Sequence, residues 1–556
     1  MTERPDPEAE ALVALLEARY GSRLTPEQLG EIQKMVVGQL EAARALRRVK
    51  LSNAAEPFQS FAPYREPASP GGREEGRDQQ APSPEGRREG QTGITGEVVF
   101  APIRELSRRL RQREISSVEL TEGFLDRLER LGPRYNAVVT ITRDRALREA
   151  RRADGEIAAG RWRGLLHGIP YGAKDLLATA DTPTTWGAAP YREQRFDFDA
   201  TAIRRLEAAG AVLCAKLAMV ELAGGMGYRQ PHASFTGPCI NPWDTGAWTG
   251  GSSSGSGAAV AAGLVPFAIG SETWGSILSP AGYCGLAGLR PTYGRVSRHG
   301  AMALCWTLDK LGLLALTADD CGLVLEAMAG ADPADPTASD RPYRYEAAEW
   351  TRFRFGVIPS ATDGCEDAVV ANFRRSLAEL ERIGSVEEVA LRDLPYEQIT
   401  RTILQVEALS AFEDLIESGG IAGLTAPEDR FTPYAREAIL AQDYLKAVRL
   451  RGVMAREIDS VLARYDALVA PGRINEAPVL GREFRGAIGS TARDIMGAIG
   501  NGAGLPAVCV PNGVGARRLP TSLQFMGRAW EENRVLAAAR SYQALTEWHT
   551  RHPTVG

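Results

Sequence analysis

A chain of 556 residues, 44% hydrophobic and 24% charged, has the composition of an ordinary globular protein and the length to bury a large core. A formal net charge of −5 lacks the basic excess of a nucleic-acid footprint, and no apolar run is long enough to span a bilayer. Seven scattered cysteines without a CxxC pair, and only five histidines, argue against a disulfide framework or a metal site.

The acidic N-terminus "MTERPDPEAE" has no apolar signal core, so the chain is expected in the cytoplasm. Residues 7–49 then carry two helical stripes. Leu12, Val13, Leu15, Leu16 and Tyr20 form the first; Leu29, Ile32, Val36, Leu40 and Ala43 form the second. Between them, Thr25-Pro26-Glu27-Gln28 supplies an N-cap, a proline at the first helical position and a glutamine that closes a capping box. This pattern predicts a helical hairpin over 1–52. Its apolar face is expected to pack on the body of the chain, with a homodimer as the alternative.

Residues 53–97, which include "EPASPGGREEGRDQQAPSPEGRREGQTG", hold almost no large apolar side chains and read as a polar linker or arm. The body is expected over 98–556. The basic run "RELSRRLRQR" near its start reads as a solvated helix face. Ser116 and Glu119 cap a helix through "VELTEGFLDRLERL", and "RALREARRADGEIAAG" predicts another. Beyond these, the β-rich runs "AVLCAKL", "RFGVIPS", "DALVAPG" and "PAVCVP" alternate with helical stretches at 318–330, 366–383 and 533–547. Such alternation implies a layered α/β fold with a buried sheet.

The stretch "TGGSSSGSGAAVAAG" at 249–263 carries the chemistry. It runs straight into an apolar segment, so it is no linker. A phosphate loop needs lysine where Ser256 stands. Gly251 to Gly255 fit GxSxG around Ser253, an esterase reading that requires a downstream histidine; His299 comes early, and His549 and His552 lie in the polar tail. A fourth reading needs no histidine. A buried lysine loses its proton readily and can act as base toward serine hydroxyls.

The segments "GIPYGAKDLLATADTPTTWGA" (168–188), "TGGSSSGSGAAVAAG" and "GSETWGSILSPAGYCGLAGLRPTYGRVS" (270–297), in that order, resemble the amidase signature family, and the resemblance covers roughly 98–556. It implies a central mixed β-sheet covered by helices. It also implies an enzyme that cleaves a carboxamide to carboxylate and ammonia or amine through a serine acyl-enzyme, without metal or cofactor. Carried over by position, Ser276 is the nucleophile, Ser252 the bridging serine on a cis peptide bond, and Lys174 the base. Backbone N–H groups of Thr273, Trp274, Gly275 and Ser276 form the oxyanion hole, and Met226 lines the substrate pocket. An ordinary lysine in that place would pair with Asp175 instead.

Three positions depart from the family pattern. Trp274 replaces a glycine, Leu278 an arginine and Glu272 an aspartate. The expected partner is a small-molecule amide, with neither nucleic acid nor membrane. Within the same fold, a glutamine-dependent amidotransferase subunit, which would need partner subunits and a tRNA, is the alternative; a non-catalytic relative is another.

Overall fold

The structure is a computed structural model that describes residues 6–52, 55, 57, 96–347, 352–484 and 494–555. The polar arm therefore lies outside the described residues, apart from Ala55, Pro57, Gly96 and Glu97.

Both capping boxes form as their residues dictate. Thr25 Oγ1 accepts from the Gln28 N–H at 3.3 Å and Gln28 Oε1 accepts from the Thr25 N–H at 2.9 Å. They start the helix Pro26–Arg48, which packs against Pro7–Tyr20. Ser116 and Glu119 do the same for Ser117–Tyr135. Each such cap contributes about 1 kcal/mol.

The hairpin lies on the body of its own chain. Ile32, Val36, Leu40 and Leu46 are buried against the helices Tyr396–Ala411, Thr432–Arg436 and Ala441–Leu462. Tyr20 stacks on Tyr434 with centroids 4.4 Å apart, and its hydroxyl bonds to Glu417 and Glu437. Arg19 pairs with the same two carboxylates, and Arg47 forks onto Asp443 at 2.6 and 2.7 Å.

The strands are β1 (Val138–Ile141), β2 (Pro170–Lys174), β3 (Val212–Leu217), β4 (Ile240–Asn241), β5 (Asp244–Trp248), β6 (Phe267–Glu272) and β7 (Ala287–Arg290), followed by β8 (Lys310–Ala315), β9 (Phe353–Val357), β10 (Gly384–Glu388), β11 (Ala467–Pro471), β12 (Ala507–Val514) and β13 (Pro520–Met526). Among the described residues, eleven of them form one mixed sheet in the order β1-β3-β2-β6-β8-β7-β12-β13-β11-β9-β10, while β4 and β5 pair with each other. Strands β2, β3, β6 and β8 are buried along their whole length, as strands covered on both faces must be. The three predicted helices appear as Ala318–Met328, Asp367–Leu380 and Glu532–Leu545. The four β-rich runs supply β3, β9, β11 and β12.

Two features of this sheet position the site. Strands β2 and β6 are adjacent and parallel, so Lys174 and Glu272, their last residues, reach the same edge. Ligand crevices of α/β sheets form at such carboxyl ends. The glycine-serine stretch opens the helix Ser254–Ala261, pressed so close to its neighbours that a Cβ on Gly255 would meet the Ala137 carbonyl and the Ala218 nitrogen at 2.5 Å. Small residues are required there by contact. Among the described residues, no helix is long and apolar enough to cross a membrane.

Candidate active site

Lys174 is fully buried at the end of β2. Its Nζ donates to Ser252 Oγ at 2.7 Å and to Ser271 Oγ at 2.9 Å. Burial, opposed by the charges of Asp309 and Glu272, brings its pKa down to about 7. Near neutral pH a large fraction of Lys174 is therefore an amine, whose lone pair faces the same hydroxyls. Asp175 does not hold it as an ion pair. That carboxylate pairs with Lys216 at 2.9 Å and accepts from the Thr185 N–H and hydroxyl.

Ser252 is fully buried and follows a cis Gly251–Ser252 peptide bond. Its neighbour Ser253, the centre of GxSxG, is also fully buried. The Ser253 hydroxyl donates to the Ser271 carbonyl and accepts from the Ser271 N–H, both at 3.2 Å. It is absorbed in holding β6 and does not line the cavity. His299 stacks on Phe198 and His552 on Phe100, and neither of them nor His549 lines the cavity beside Ser276.

Ser276 does line that cavity, of about 240 Å³. It is 8% exposed, and its hydroxyl has no hydrogen-bond partner among the described residues. Its carbonyl accepts from the Ser253 N–H at 3.2 Å, which ties the loop to the glycine-serine stretch. Catalytic hydrogen bonds are commonly loose before substrate binds.

The loop before Ser276 is braced at both sides. Thr273 Oγ1 donates to Asp309 at 2.6 Å, and Asp309 accepts from the Leu304 and Cys305 N–H groups. Glu272 accepts from the N–H groups of Ile277 and Leu278 at 2.9 and 3.0 Å and pairs with the fully buried Arg290 at 2.8 Å. Burial pushes the Glu272 carboxyl up, but Arg290, the Leu278 N–H and Lys310 outweigh it and set its pKa at about 2. Leu278, which stands where the family pattern has arginine, is core, and the charge that braces this loop sits on Glu272.

Gly275 takes φ +82°, the left-handed region that favours glycine, whereas Trp274 is not among the residues with positive φ. The tryptophan is accommodated without that strain. Its indole Nε1 donates to Asp494 at 2.8 Å and the Arg401 guanidinium lies 5.3 Å from its ring centroid. Trp274 is therefore a fixed wall of the cavity.

Met226 is not. It is fully buried in the main core, and Ala223, Gly224 and Tyr228 of the same segment line the cavity instead. Tyr228, Trp248 and Phe484 form an aromatic cluster on its wall, with Trp248 and Phe484 stacked at 4.7 Å. Arg401, Arg436, Arg473 and Asp494 also line it, and sequence reasoning missed all four. They stand in segments without a recognisable motif. A second cavity, of about 200 Å³, is lined by Ser271, Thr273, Asp309 and Lys310. Among the described residues, no group of three or more His, Cys, Asp or Glu side chains could hold a metal ion.

Known proteins resemble the chain over most of its length. The sequence profile of one protein family, described as Amidase, matches residues 119–536. The A subunit of glutamyl-tRNA(Gln) amidotransferase from Moorella thermoacetica is 37% identical over 490 residues, covering 83% of this chain and 99% of that protein. Among solved structures, native peptide amidase from Stenotrophomonas maltophilia matches with a TM-score of 0.70 at 30% identity, over 82% of this chain and 98% of the other. The A subunit of glutamyl-tRNA(Gln) amidotransferase from Thermotoga maritima gives a TM-score of 0.70 at 28% identity, over 84% and 100%.

Proposed function

The chain belongs to the amidase family, enzymes that act on carbon–nitrogen amide bonds, and from that premise we propose that it hydrolyses a carboxamide through an acyl-enzyme on Ser276. The observation that carries this reading is the 2.7 Å contact between Lys174 Nζ and Ser252 Oγ in a fully buried setting.

Neutral Lys174 takes a proton from Ser252 as Ser252 takes one from Ser276, and the Ser276 Oγ attacks the amide carbonyl carbon. Backbone N–H groups of the Thr273–Ser276 loop receive the developing oxyanion, each worth about 3 kcal/mol in comparable sites. The C–N bond then breaks, and the proton returns from Lys174 through Ser252 to the leaving nitrogen. Water attacks the ester by the same relay, releasing carboxylate and regenerating Ser276. The position of Ser271, within 2.9 Å of Nζ, gives the lysine a second hydroxyl that holds it in place.

Turnover of a panel of aryl and alkyl amides by the purified chain tests the reading. Lys174→Ala and Ser276→Ala are each expected to lower kcat by about a thousandfold or more. A Ser276→Ala protein that retains activity contradicts it.

A second reading, the glutamine-hydrolysing subunit of a larger assembly, is favoured by the 37% identity over nearly the full length of an amidotransferase A subunit. Glutamine turnover that depends on co-purified partner subunits would select it.

A further inference from the structure

Five ionisable side chains are buried together behind the catalytic loop: Lys174 of β2, Glu272 of β6, Arg290 of β7, and Asp309 and Lys310 where β8 begins. Lys310 stands directly opposite Glu272 in the antiparallel pairing of β6 with β8, and Glu272 pairs with Arg290 at 2.8 Å. Asp309 accepts from the Thr273 hydroxyl and from the Leu304 and Cys305 N–H groups, the surroundings of an ionised carboxylate.

The other described charges nearby are matched among themselves. Asp175 pairs with Lys216 and Arg298 with Asp335, and the charge of Arg451 is met by that of Glu407. His299 borders the second cavity, stacked on Phe198.

Two carboxylates and one arginine leave the cluster short of one positive charge, and two lysines are present to supply it. A buried charge is strongly destabilising unless it is paired, so the cluster is best satisfied by one ammonium and one amine. Burial brings Lys310 down to about 7, with Arg290 and Arg451 pushing the same way against Glu272 and Asp309. Lys174 is brought to the same value, so burial alone does not say which lysine keeps the proton.

The partners of the two nitrogens do. Lys310 Nζ donates to the Leu308 carbonyl, a group that can only accept. Lys174 Nζ meets the hydroxyls of Ser252 and Ser271, which can donate to the lone pair of an amine. Lys310 also borders the second cavity, of about 200 Å³, which has room for water around an ammonium, whereas Lys174 borders neither cavity. Ser271 lines that second cavity as well. A proton can therefore pass from Lys174 through Ser271 and cavity water to Lys310 without entering the space beside Ser276; Lys174 loses one proton, Lys310 gains one, and the charge of the cluster is unchanged.

We propose that Lys310 is a positioning residue for the catalytic base: it carries the ammonium that balances Glu272 and Asp309, and thereby leaves Lys174 as the amine. The proposal takes the role of Lys174 from the hydrolase reading above and adds the group that keeps it ready.

The chain has six lysines, few enough for their side-chain signals to be followed by NMR after isotope labelling of lysine. At pH 8 the Lys310 signal is expected in its ammonium position and the Lys174 signal in its amine position. In Lys310→Met the missing charge must come from Lys174, whose titration midpoint should rise by about one pH unit or more. Lys310→Arg keeps the charge, has the cavity to fit its longer side chain, and should leave that midpoint at or below its wild-type place. Should Lys310→Met fail to fold, Lys310→Gln carries the same expectation. An unmoved Lys174 midpoint in the folded Met or Gln variant overturns the proposal, as does an amine at Lys310 in the wild type at pH 8. The rate at which a fluorophosphonate labels Ser276, measured against pH, should shift with the Lys174 midpoint, about ten-fold slower at pH 7 in Lys310→Met. A uniform loss of rate with no shift in pH would reduce Lys310 to a structural part and also overturn the proposal. Absence of any label on Ser276 in the wild type would count against the hydrolase reading, and the NMR midpoints would still decide where the proton sits.

Discussion

A lysine serves as a base near neutral pH only where its ammonium form is made costly, and Lys174 meets that condition by complete burial. Its pKa of about 7 in the fold lies well below its ordinary value of 10.5. Two consequences follow in sign. The rate of acylation should rise with pH through about 7 as the amine form grows, read from the pH profile of kcat/KM. Between pH 7 and 10.5 the unfolded chain binds the proton that the folded chain releases, so this group's contribution to stability rises with pH over that window. Lys174→Met should therefore stabilise the fold more at pH 6 than at pH 9, in denaturant unfolding, while abolishing turnover. A Met variant whose stability gain has no such pH dependence would show that the lysine is not held in the way described. At this scale the site was legible where a motif is short and contiguous. Lys174, Ser252 and Ser276 each sit in such a run. Met226 was placed on the cavity by position alone, but the chain turns it into the core.

The N-terminal hairpin was legible as two helices because their stripes and the capping box at Thr25 are local. Its destination was not, because nothing local in residues 7–49 names the helices at Tyr396–Ala411 and Thr432–Arg436 that it covers. Those helices carry Arg401 and Arg436, so the hairpin braces a wall of the cavity beside Ser276. Tyr434, stacked on Tyr20, is two residues from Arg436. Tyr20→Ala should cost about 3 kcal/mol of stability as a buried aromatic is lost. Its kinetic signature should be a rise in KM larger than any fall in kcat, because the wall loosens while the Lys174–Ser252 contact stays. Unchanged KM in a folded variant would limit the hairpin to stability. The glycine-serine stretch shows the converse case: its composition announced something special, and contact with Ala137 and Ala218 explains the small side chains.

Across the whole molecule, the alternation of strands and helices announced a layered α/β fold, and the strand order did not follow from it. Strand β2 lies between β3 and β6, and β7 pairs with β12, pairings across long stretches of chain that no local pattern encodes. The resemblance of three ordered segments supplied what periodicity lacked. The sheet brings the ends of β2 and β6 together, the loop after β6 presents Ser276, and segments near 401, 436, 473 and 494 close the cavity over it. Those closing segments lie far from the three ordered motifs in the chain and carry no motif of their own, which is why sequence reasoning did not reach the residues that line the cavity.

The central claim is that Ser276 is the nucleophile and that Lys174 activates it through Ser252. Labelling the purified chain with a serine-reactive fluorophosphonate, followed by peptide mapping of the adduct, tests this most directly. The expected result is one adduct on Ser276, lost in Lys174→Ala. An adduct on Ser253, or one on Ser276 undiminished in Lys174→Ala, would contradict it.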